Sequence, residues 1–147
     1  MPLLPALPPE AAFDVANAFA LAGWLALAAS PPGRRWTGAV WQWTGWVMPL
    51  LLALVYVALL LGQPGAGGFG SLAAVRQLFE QPGLLAAGWL HYLAFDLFVG
   101  TWIARHAAER GMRHLWVLPC LLLTFLIGPA GLLAFAALSW LHKGISR

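Results

Sequence analysis

The stretch "GWLHYLAFDLFVGTWIAR", from Gly88 to Arg105, decides the fold class because an apolar segment encloses two ionisable groups, His91 and Asp96. Together with the apolar residues before it, this segment is long enough to cross a bilayer as a helix. A charged side chain at that depth costs several kcal/mol unless it is paired or hydrated. The stretch therefore predicts a membrane-spanning helix that shields a polar site.

The composition of the whole chain agrees with a membrane location. The 147 residues are 61% hydrophobic and only 9% charged, whereas soluble domains contain roughly 25% charged residues. The net charge of +3 rests on few groups and forms no basic stripe, so we expect no nucleic-acid partner. The single cysteine excludes an internal disulfide and a Cys/His metal motif. These features predict one integral membrane domain.

Apolar stretches long enough to span the bilayer occur at residues 11–29, 39–62, 84–104 and 115–141. The motifs "SPPGRR" and "QPGAGG" end the first two. The pattern predicts an all-α, integral membrane four-helix bundle. Proline at positions 49, 119 and 129 predicts local kinks.

The segment "SLAAVRQLFEQPG" between the second and third spans predicts a short amphipathic helix at the membrane interface. Ser71 can cap this helix, and Arg76 can pair with Glu80 four residues later. Its apolar side chains fall on one face, namely Leu72, Val75, Leu78 and Phe79. An irregular loop is the alternative.

The distribution of basic residues predicts an orientation. The first and third loops carry Arg34, Arg35, Arg105, Arg110 and Arg113, whereas Arg76, Lys143 and Arg147 lie on the other side of a four-span protein. The positive-inside rule then places both termini outside and the Arg-rich loops in the cytoplasm. Tryptophans near the Arg-rich side predict an interfacial aromatic belt. The N-terminus has no basic start of a signal peptide and carries Glu10 and Asp14.

Polar side chains on several spans are predicted to reach similar depths in the bilayer. Counting about 1.5 Å per residue from each span's midpoint places His91 and Asn17 at nearly the same level. Asp96, Thr124 and the "GPAG" bend at Gly128–Gly131 lie close to the centre. His91 and Asp96 are about 140° apart on a straight helix, so they cannot share one face. We expect His91 to face the first span and Asp96 the fourth.

Structural roles are the alternative for several of these residues. A histidine in a membrane helix often serves only to hydrogen-bond a neighbouring helix, and Asn17 is typical of a helix–helix contact. A purely structural role explains Asp96 less well, because Asn or Thr could make the same helix–helix hydrogen bond with a smaller free-energy cost of insertion.

The segments "WLHYLAFDLFVGTWIARHAAERG" and "LPCLLLTFLIGPAGLL" resemble the neoxanthin-synthase-like family, named for abscisic-acid-deficient mutants of plants. The likeness extends to "FDVANAFALAGWLALAASPPGR" and "SLAAVRQLFEQPGLLAAGW". Its most specific parts are Trp89, His91, Asp96, Leu97 and Phe98, with the turn residues Gly128, Pro129 and Gly131. The family often has Asp where this chain has His106, so no role is carried over to that position.

The resemblance implies a small four-span membrane protein. Plant members are required for converting violaxanthin into neoxanthin, in which an epoxide ring opens to an allene. A composition rich in Ala, Gly, Pro and Arg is typical of a GC-rich bacterium, in which neoxanthin is not an expected product. We therefore expect a multi-pass protein of the bacterial inner membrane.

The leading hypothesis is an enzyme that isomerises a carotenoid or a related polyene lipid. Asp96 and His91 would act as acid and base. The substrate-binding candidates are Asn17, Trp89, Tyr92, Arg105 and Thr124. The second hypothesis is a non-catalytic pigment-binding or assembly protein. The third is a metal or haem protein that uses His91 and Asp96. The cofactor and metal remain unassigned, and a homo-oligomer is left open.

Overall fold

The computed structural model of the protein describes residues 8–62 and 67–145, and the regular elements in these two ranges are all helical. The all-α prediction is confirmed. The "QPGAGG" stop falls mostly outside the described residues, and so does Arg147. The helices are α1 (Pro9–Ala28), α2 (Thr37–Gln42), α3 (Met48–Leu61), α4 (Leu72–Phe79), α5 (Pro82–Glu109), α6 (His114–Ile127) and α7 (Pro129–Ile145).

Within residues 8–62 and 67–145, three helical segments are long and apolar enough to cross a membrane: α1, the combined segment Thr37–Leu61, and α5. They correspond to the first three predicted spans. Helix α5 is central, because α1, α3 and α6 all pack against it. The N-terminal ends of α1 and α5 lie together, since Pro9 and Pro82 line one groove. These two helices therefore run parallel, with α3 antiparallel to them.

A π-helical turn, Trp43–Val47, joins α2 to α3. Pro49 lacks the N–H that would bond the carbonyl of Gly45, which favours the wider turn. The turn places Thr44 against α5, where the Thr101 hydroxyl lies 2.8 Å from the Thr44 hydroxyl. Both threonines are buried at about 1% exposure. Pro49, which was predicted to kink this span, thus favours the turn that brings Thr44 to Thr101.

The fourth apolar stretch differs from the prediction, because it forms a helical hairpin and not one continuous span. Gly128 has φ +43° and ends α6, and α7 then packs back along α6 with Gly131 against Thr124. At the far end of α7, His142 Nε2 lies 3.2 Å from the carbonyl oxygen of Arg110. The ring of Trp116, near the start of α6, lies 6.3 Å from the ring of His142. Both ends of the hairpin therefore meet the C-terminal end of α5.

The hairpin changes the predicted architecture and topology. Helix α6 is about 21 Å long at 1.5 Å per residue, which is too short to cross a hydrocarbon core of about 30 Å. The four-helix bundle is consequently not confirmed, and α7 ends at the Arg-rich end of the molecule. Lys143 on α7 then joins the loop arginines at that end. Among the described basic residues, Arg76 is left at the opposite end.

Helix α4 confirms the predicted amphipathic helix. The Ser71 hydroxyl accepts a hydrogen bond of 3.1 Å from the backbone N–H of Ala74. Arg76 Nε lies 3.6 Å from Glu80 Oε1. Phe79 packs closely against Gly88 and so joins α4 to α5. The alternative of an irregular loop is wrong.

We predict that Thr101→Val destabilises the protein by about 1 kcal/mol, because it removes the hydroxyl that bridges α5 and the π turn. Thr101→Ser keeps the hydroxyl and controls for the change in shape. The check is equilibrium unfolding in mixed micelles. Equal stability of the Val variant and the wild type would contradict a stabilising role for this contact.

A candidate site at the tip of the hairpin

The carboxylate of Asp96 lies against the turn at the tip of the hairpin. A Cβ atom on Gly128 would lie 2.8 Å from Asp96 Oδ1, so only a residue without a side chain leaves room for this contact. Asp96 is half-buried at the middle of α5, and its Oδ2 atom is buried with no hydrogen-bond partner among the described residues. A potentially charged group thus lies at the centre of the longest helix, where the hairpin turns.

The N-terminus of α7 lies next to the Asp96 carboxylate. Helix α7 begins at Pro129, directly after the glycine that contacts the carboxylate. The first turn of a helix carries free N–H groups and a partial positive charge, which favour an anion. Discontinuous helices in membrane proteins use their N-terminal ends in the same way. The turn therefore places the carboxylate beside a helix end whose dipole favours an anion.

Tyr92 donates a hydrogen bond to a backbone carbonyl that Pro129 leaves without its helical donor. In a continuous helix, the carbonyl of Phe125 would accept from the N–H of residue 129, but proline has none. The Tyr92 hydroxyl instead donates to the Phe125 carbonyl oxygen over 3.2 Å. The same hydroxyl interacts electrostatically with Asp96, one helical turn away on α5. Tyr92 and Asp96 therefore contact the two sides of the hairpin turn.

Trp89 extends this polar line to α1. Its indole Nε1–H donates to the Asn17 side-chain oxygen over 2.9 Å, and its ring lies 5.3 Å from the ring of Tyr92. The amide nitrogen of Asn17 donates to the carbonyl of Phe13 over 2.8 Å. The predicted residues Asn17, Trp89, Tyr92 and Asp96 thus form one contiguous set, which we call the hairpin-tip site.

His91 does not join the hairpin-tip site. Its exposed ring stacks on Phe95 with centroids 4.6 Å apart and lies 5.7 Å from the ring of Tyr56 on α3. It therefore faces α3 and the exterior, and not the first span as expected. Asp96 faces the fourth apolar stretch, as predicted. The separation of about 140° between the two residues explains why they diverge.

Arg105 and Thr124 also lie apart from the carboxylate. Arg105 is nine positions beyond Asp96, or about 13 Å along α5, toward the Arg-rich end. Thr124 is fully buried, donates to the Cys120 carbonyl over 2.8 Å and packs against Gly131. Its contacts join the two arms of the hairpin. The structure thus gives Thr124 a packing role and brings neither residue to Asp96.

The donor set around Asp96 does not resemble a metal centre. Within residues 8–62 and 67–145, no group of three or more His, Cys, Asp or Glu side chains is placed to hold a metal ion. His91, the second ligand of the metal hypothesis, faces away from Asp96. The site brings together a carboxylate, a phenol, an indole and an amide, which favours proton transfer and hydrogen bonding.

Comparison with known proteins places the chain in a family. The family model described as ABA DEFICIENT 4-like (ABA4-like) matches residues 11–135. The chain belongs to the ABA4-like family. No curated protein and no solved structure matches it. With three long apolar helices, it is a membrane protein of this family.

The matched region contains the complete hairpin-tip site, from Asn17 on α1 to the Gly128 turn and the first part of α7. The resemblance drawn from the Trp89–Phe98 core and the Gly-Pro-x-Gly turn is confirmed. Sequence reasoning missed the backbone carbonyl of Phe125 as part of the site. The signal was present, because a proline at position 129 leaves the carbonyl four residues earlier without its helical donor.

We predict that Gly128→Ala destabilises the protein by about 1–3 kcal/mol, since φ +43° with ψ −95° strains any residue with a Cβ. The added methyl group would also meet Asp96. Asp96→Ala should therefore cost less in the Gly128→Ala background than in the wild type. Unfolding of the single and double variants in mixed micelles measures this coupling. Gly144→Ala, in open space on α7, is the control. Additive effects of Gly128→Ala and Asp96→Ala would contradict the contact.

Proposed function

We propose that this ABA4-like protein is a multi-pass membrane enzyme that isomerises a carotenoid or a related polyene lipid by acid–base chemistry at Asp96 and Tyr92. The observation that carries the proposal is the half-buried Asp96 carboxylate at mid-helix, whose buried Oδ2 has no hydrogen-bond partner in residues 8–62 and 67–145 by distance and angle, with the Tyr92 phenol one turn away. The membership in the ABA4-like family supports a polyene as the substrate class. His91 plays no part in the proposed mechanism, because its ring lies beside Tyr56 on another face of α5.

The energetic cost of Asp96 supports a chemical role. An aspartate at the centre of a membrane helix costs roughly 2.5–3.5 kcal/mol on the lenient insertion scale. A residue that only capped α7 would do so more cheaply as Asn or Ser, since both are good caps. A carboxyl group adds the ability to accept and donate a proton. That ability distinguishes the enzymatic proposal from a purely structural role.

The reaction class needs only two proton transfers. One group removes the proton from the vinyl carbon of the conjugated chain that adjoins the epoxide, and the electron pair of that C–H bond forms a second double bond from this carbon to the epoxide carbon. The carbon–oxygen bond of an epoxide breaks, and its oxygen takes a proton from the second group. No electron leaves the substrate, so no redox partner is consumed. Asp96 as base and Tyr92 as proton donor supply both transfers.

Tyr92 must change its hydrogen-bond partner to act as the donor. Its hydroxyl donates to the Phe125 carbonyl at 3.2 Å, which is a long O–H···O bond. A substrate oxygen between Tyr92 and Asp96 would compete for that proton. The indole of Trp89 beside Tyr92 offers a flat apolar surface for the conjugated chain. Asn17 fixes the orientation of this indole through its hydrogen bond.

A non-catalytic pigment-binding protein is the second candidate. The observation that favours it is an apolar groove of about 400 Å³ between α1 and α3, bordered by Val15, Phe19, Leu51 and Val55. A polyene that rested there would touch no titratable side chain among the residues that line the groove. Binding without conversion would be its signature.

The proposed topology places the Arg-rich end in the cytoplasm of a bacterium and the N-terminal end of α1 on the outer face of the inner membrane. The hairpin enters from the cytoplasmic side and returns to it, and the loop arginines lie on the side that the positive-inside rule favours. The tip then reaches the hydrocarbon core, where the site faces lipid-soluble substrates.

We predict that Asp96→Asn and Tyr92→Phe each lower the conversion of violaxanthin by at least about 100-fold, the usual contribution of a positioned acid or base. Pigment extracts from proteoliposomes, separated by chromatography, give the rate. His91→Phe is the matched control and should keep near-wild-type activity, because its ring lies on another face. Full activity in folded Asp96→Asn protein would refute the acid–base proposal. Pigment that binds without conversion by the wild type would favour the second candidate.

A further inference from the structure

His91 has no role in the proposed chemistry, yet it lies deep in the membrane. It is about 7 Å from the midpoint of α5 at 1.5 Å per residue, inside a hydrocarbon core of about 30 Å. Its ring is exposed and lies 5.7 Å from the ring of the partly exposed Tyr56. Tyr56 is about 10 Å from the midpoint of the segment Thr37–Leu61. Two polar side chains therefore lie side by side at the outer surface of the helices, within the membrane.

These two side chains need hydrogen-bond partners that one copy of the chain does not supply. Within residues 8–62 and 67–145, neither Tyr56 nor His91 makes a hydrogen bond. Acyl chains have no donors or acceptors, so a polar group that faces them unpaired is costly. Phospholipid headgroups begin about 15 Å from the bilayer centre, which is too far away to reach His91. The partner at this depth is therefore another membrane-embedded molecule.

The surroundings of the pair have the features of a contact between membrane helices. An apolar groove of about 230 Å³ lies between α3 and α5, one helical turn from Tyr56 at Ala53. Phe95, at the edge of the groove, stacks on His91 and is 59% exposed. The hairpin packs on the face of α5 that carries Asp96, so it leaves this surface open. We call it the α3–α5 face, formed by Gly45, Trp46, Ala53, Tyr56, His91, Ala94, Phe95 and Phe98.

Tyr56 and His91 are chemically complementary to each other. A neutral imidazole has one acceptor nitrogen, and a phenol has one O–H donor. A two-fold axis repeats every contact in reverse, so Tyr56 against His91 of a second copy implies His91 against Tyr56 of that copy. One surface thus forms two equivalent hydrogen bonds with itself. The small residues of the groove allow the close approach that such bonds between membrane helices require.

We propose that the α3–α5 face is the interface of a homodimer in which Tyr56 of each copy donates a hydrogen bond to the His91 imidazole of the other. The projecting ring of Phe95 and the groove beside it give the same face a protrusion and a recess, so a two-fold contact buries both. The proposal is independent of the chemistry at Asp96, because the hairpin-tip site is complete within one copy.

Association is measured by energy transfer between full-length copies in liposomes over a range of protein-to-lipid ratios. The dyes are attached at Gly144→Cys in a Cys120→Ala background, since Gly144 lies in open space on α7. We expect a dimer whose association constant falls at least about tenfold in Tyr56→Phe and in His91→Leu, because each change removes both bonds. Tyr92→Phe makes the same chemical change on another face and should leave association unchanged. A monomeric wild type, or single variants that associate like the wild type, would overturn the proposal.

Mixtures of variants distinguish a contact between copies from an effect within one copy. Tyr56→Phe mixed with His91→Leu keeps one of the two bonds, because the phenol of the second variant meets the imidazole of the first. The wild type mixed with the double variant has the same set of side chains and keeps neither bond.

The donor dye is carried by one member of each mixture and the acceptor dye by the other, and the homodimer constants are measured separately. We expect the mixed dimer of the two single variants to associate at least about threefold more strongly than the mixed dimer of the wild type and the double variant. Equal association of the two mixed dimers would show that Tyr56 and His91 do not meet across the interface and would overturn the proposal.

Discussion

The contact between the Asp96 carboxylate and the turn at Gly128 is the constraint on which the rest of the structure depends. A hairpin that ends inside a membrane must satisfy the polar groups of two helix ends without water. Here one face of α5 contacts both helix ends. Asp96 lies at the positive N-terminal end of α7, and Tyr92 donates to the carbonyl that Pro129 leaves without a partner. The hairpin in turn shields Asp96 from lipid.

Much of the fold follows from the sequence because its signals are local. Apolar length identifies the first three long helices, and the cap at Ser71 with the Arg76–Glu80 pair identifies α4. The hairpin escaped prediction because residues 115–141 are long enough for one span or for two half-length helices. A hydropathy profile reports how apolar a segment is, and it does not show where the chain reverses its direction. The direction depends on the backbone at Gly128 and on contacts with α5 far away in sequence.

The sequence could bring site residues together only where their depth in the membrane decides which of them are neighbours. Depth placed the Gly128 bend near the level of Asp96, where the structure has it, and placed Asn17 near the level of His91, where it contacts the neighbouring Trp89. The angle around α5 correctly separated His91 from Asp96, but His91 was expected to face the first span and instead lies beside Tyr56 on α3. Trp89 and Tyr92 lie on the same face of α5 as Asp96 because of their spacing. Trp89 makes the contact with the first span that was expected of His91. Depth and helical angle therefore do not fix which neighbouring helix a side chain meets, because that depends on how the helices pack.

The central claim, that the fourth apolar stretch turns back at Asp96, is tested most directly by a distance. Spin labels at Glu109→Cys and Gly144→Cys, in a Cys120→Ala background reconstituted in lipid nanodiscs, report on the ends of α5 and α7. A returning hairpin places them at the same end of the molecule, with a separation on the order of 20 Å from adjacent helices and label arms. A continuous span over residues 115–141 would separate them by about 40 Å. We expect the short distance, and the long distance would show that the fourth apolar stretch does not turn back.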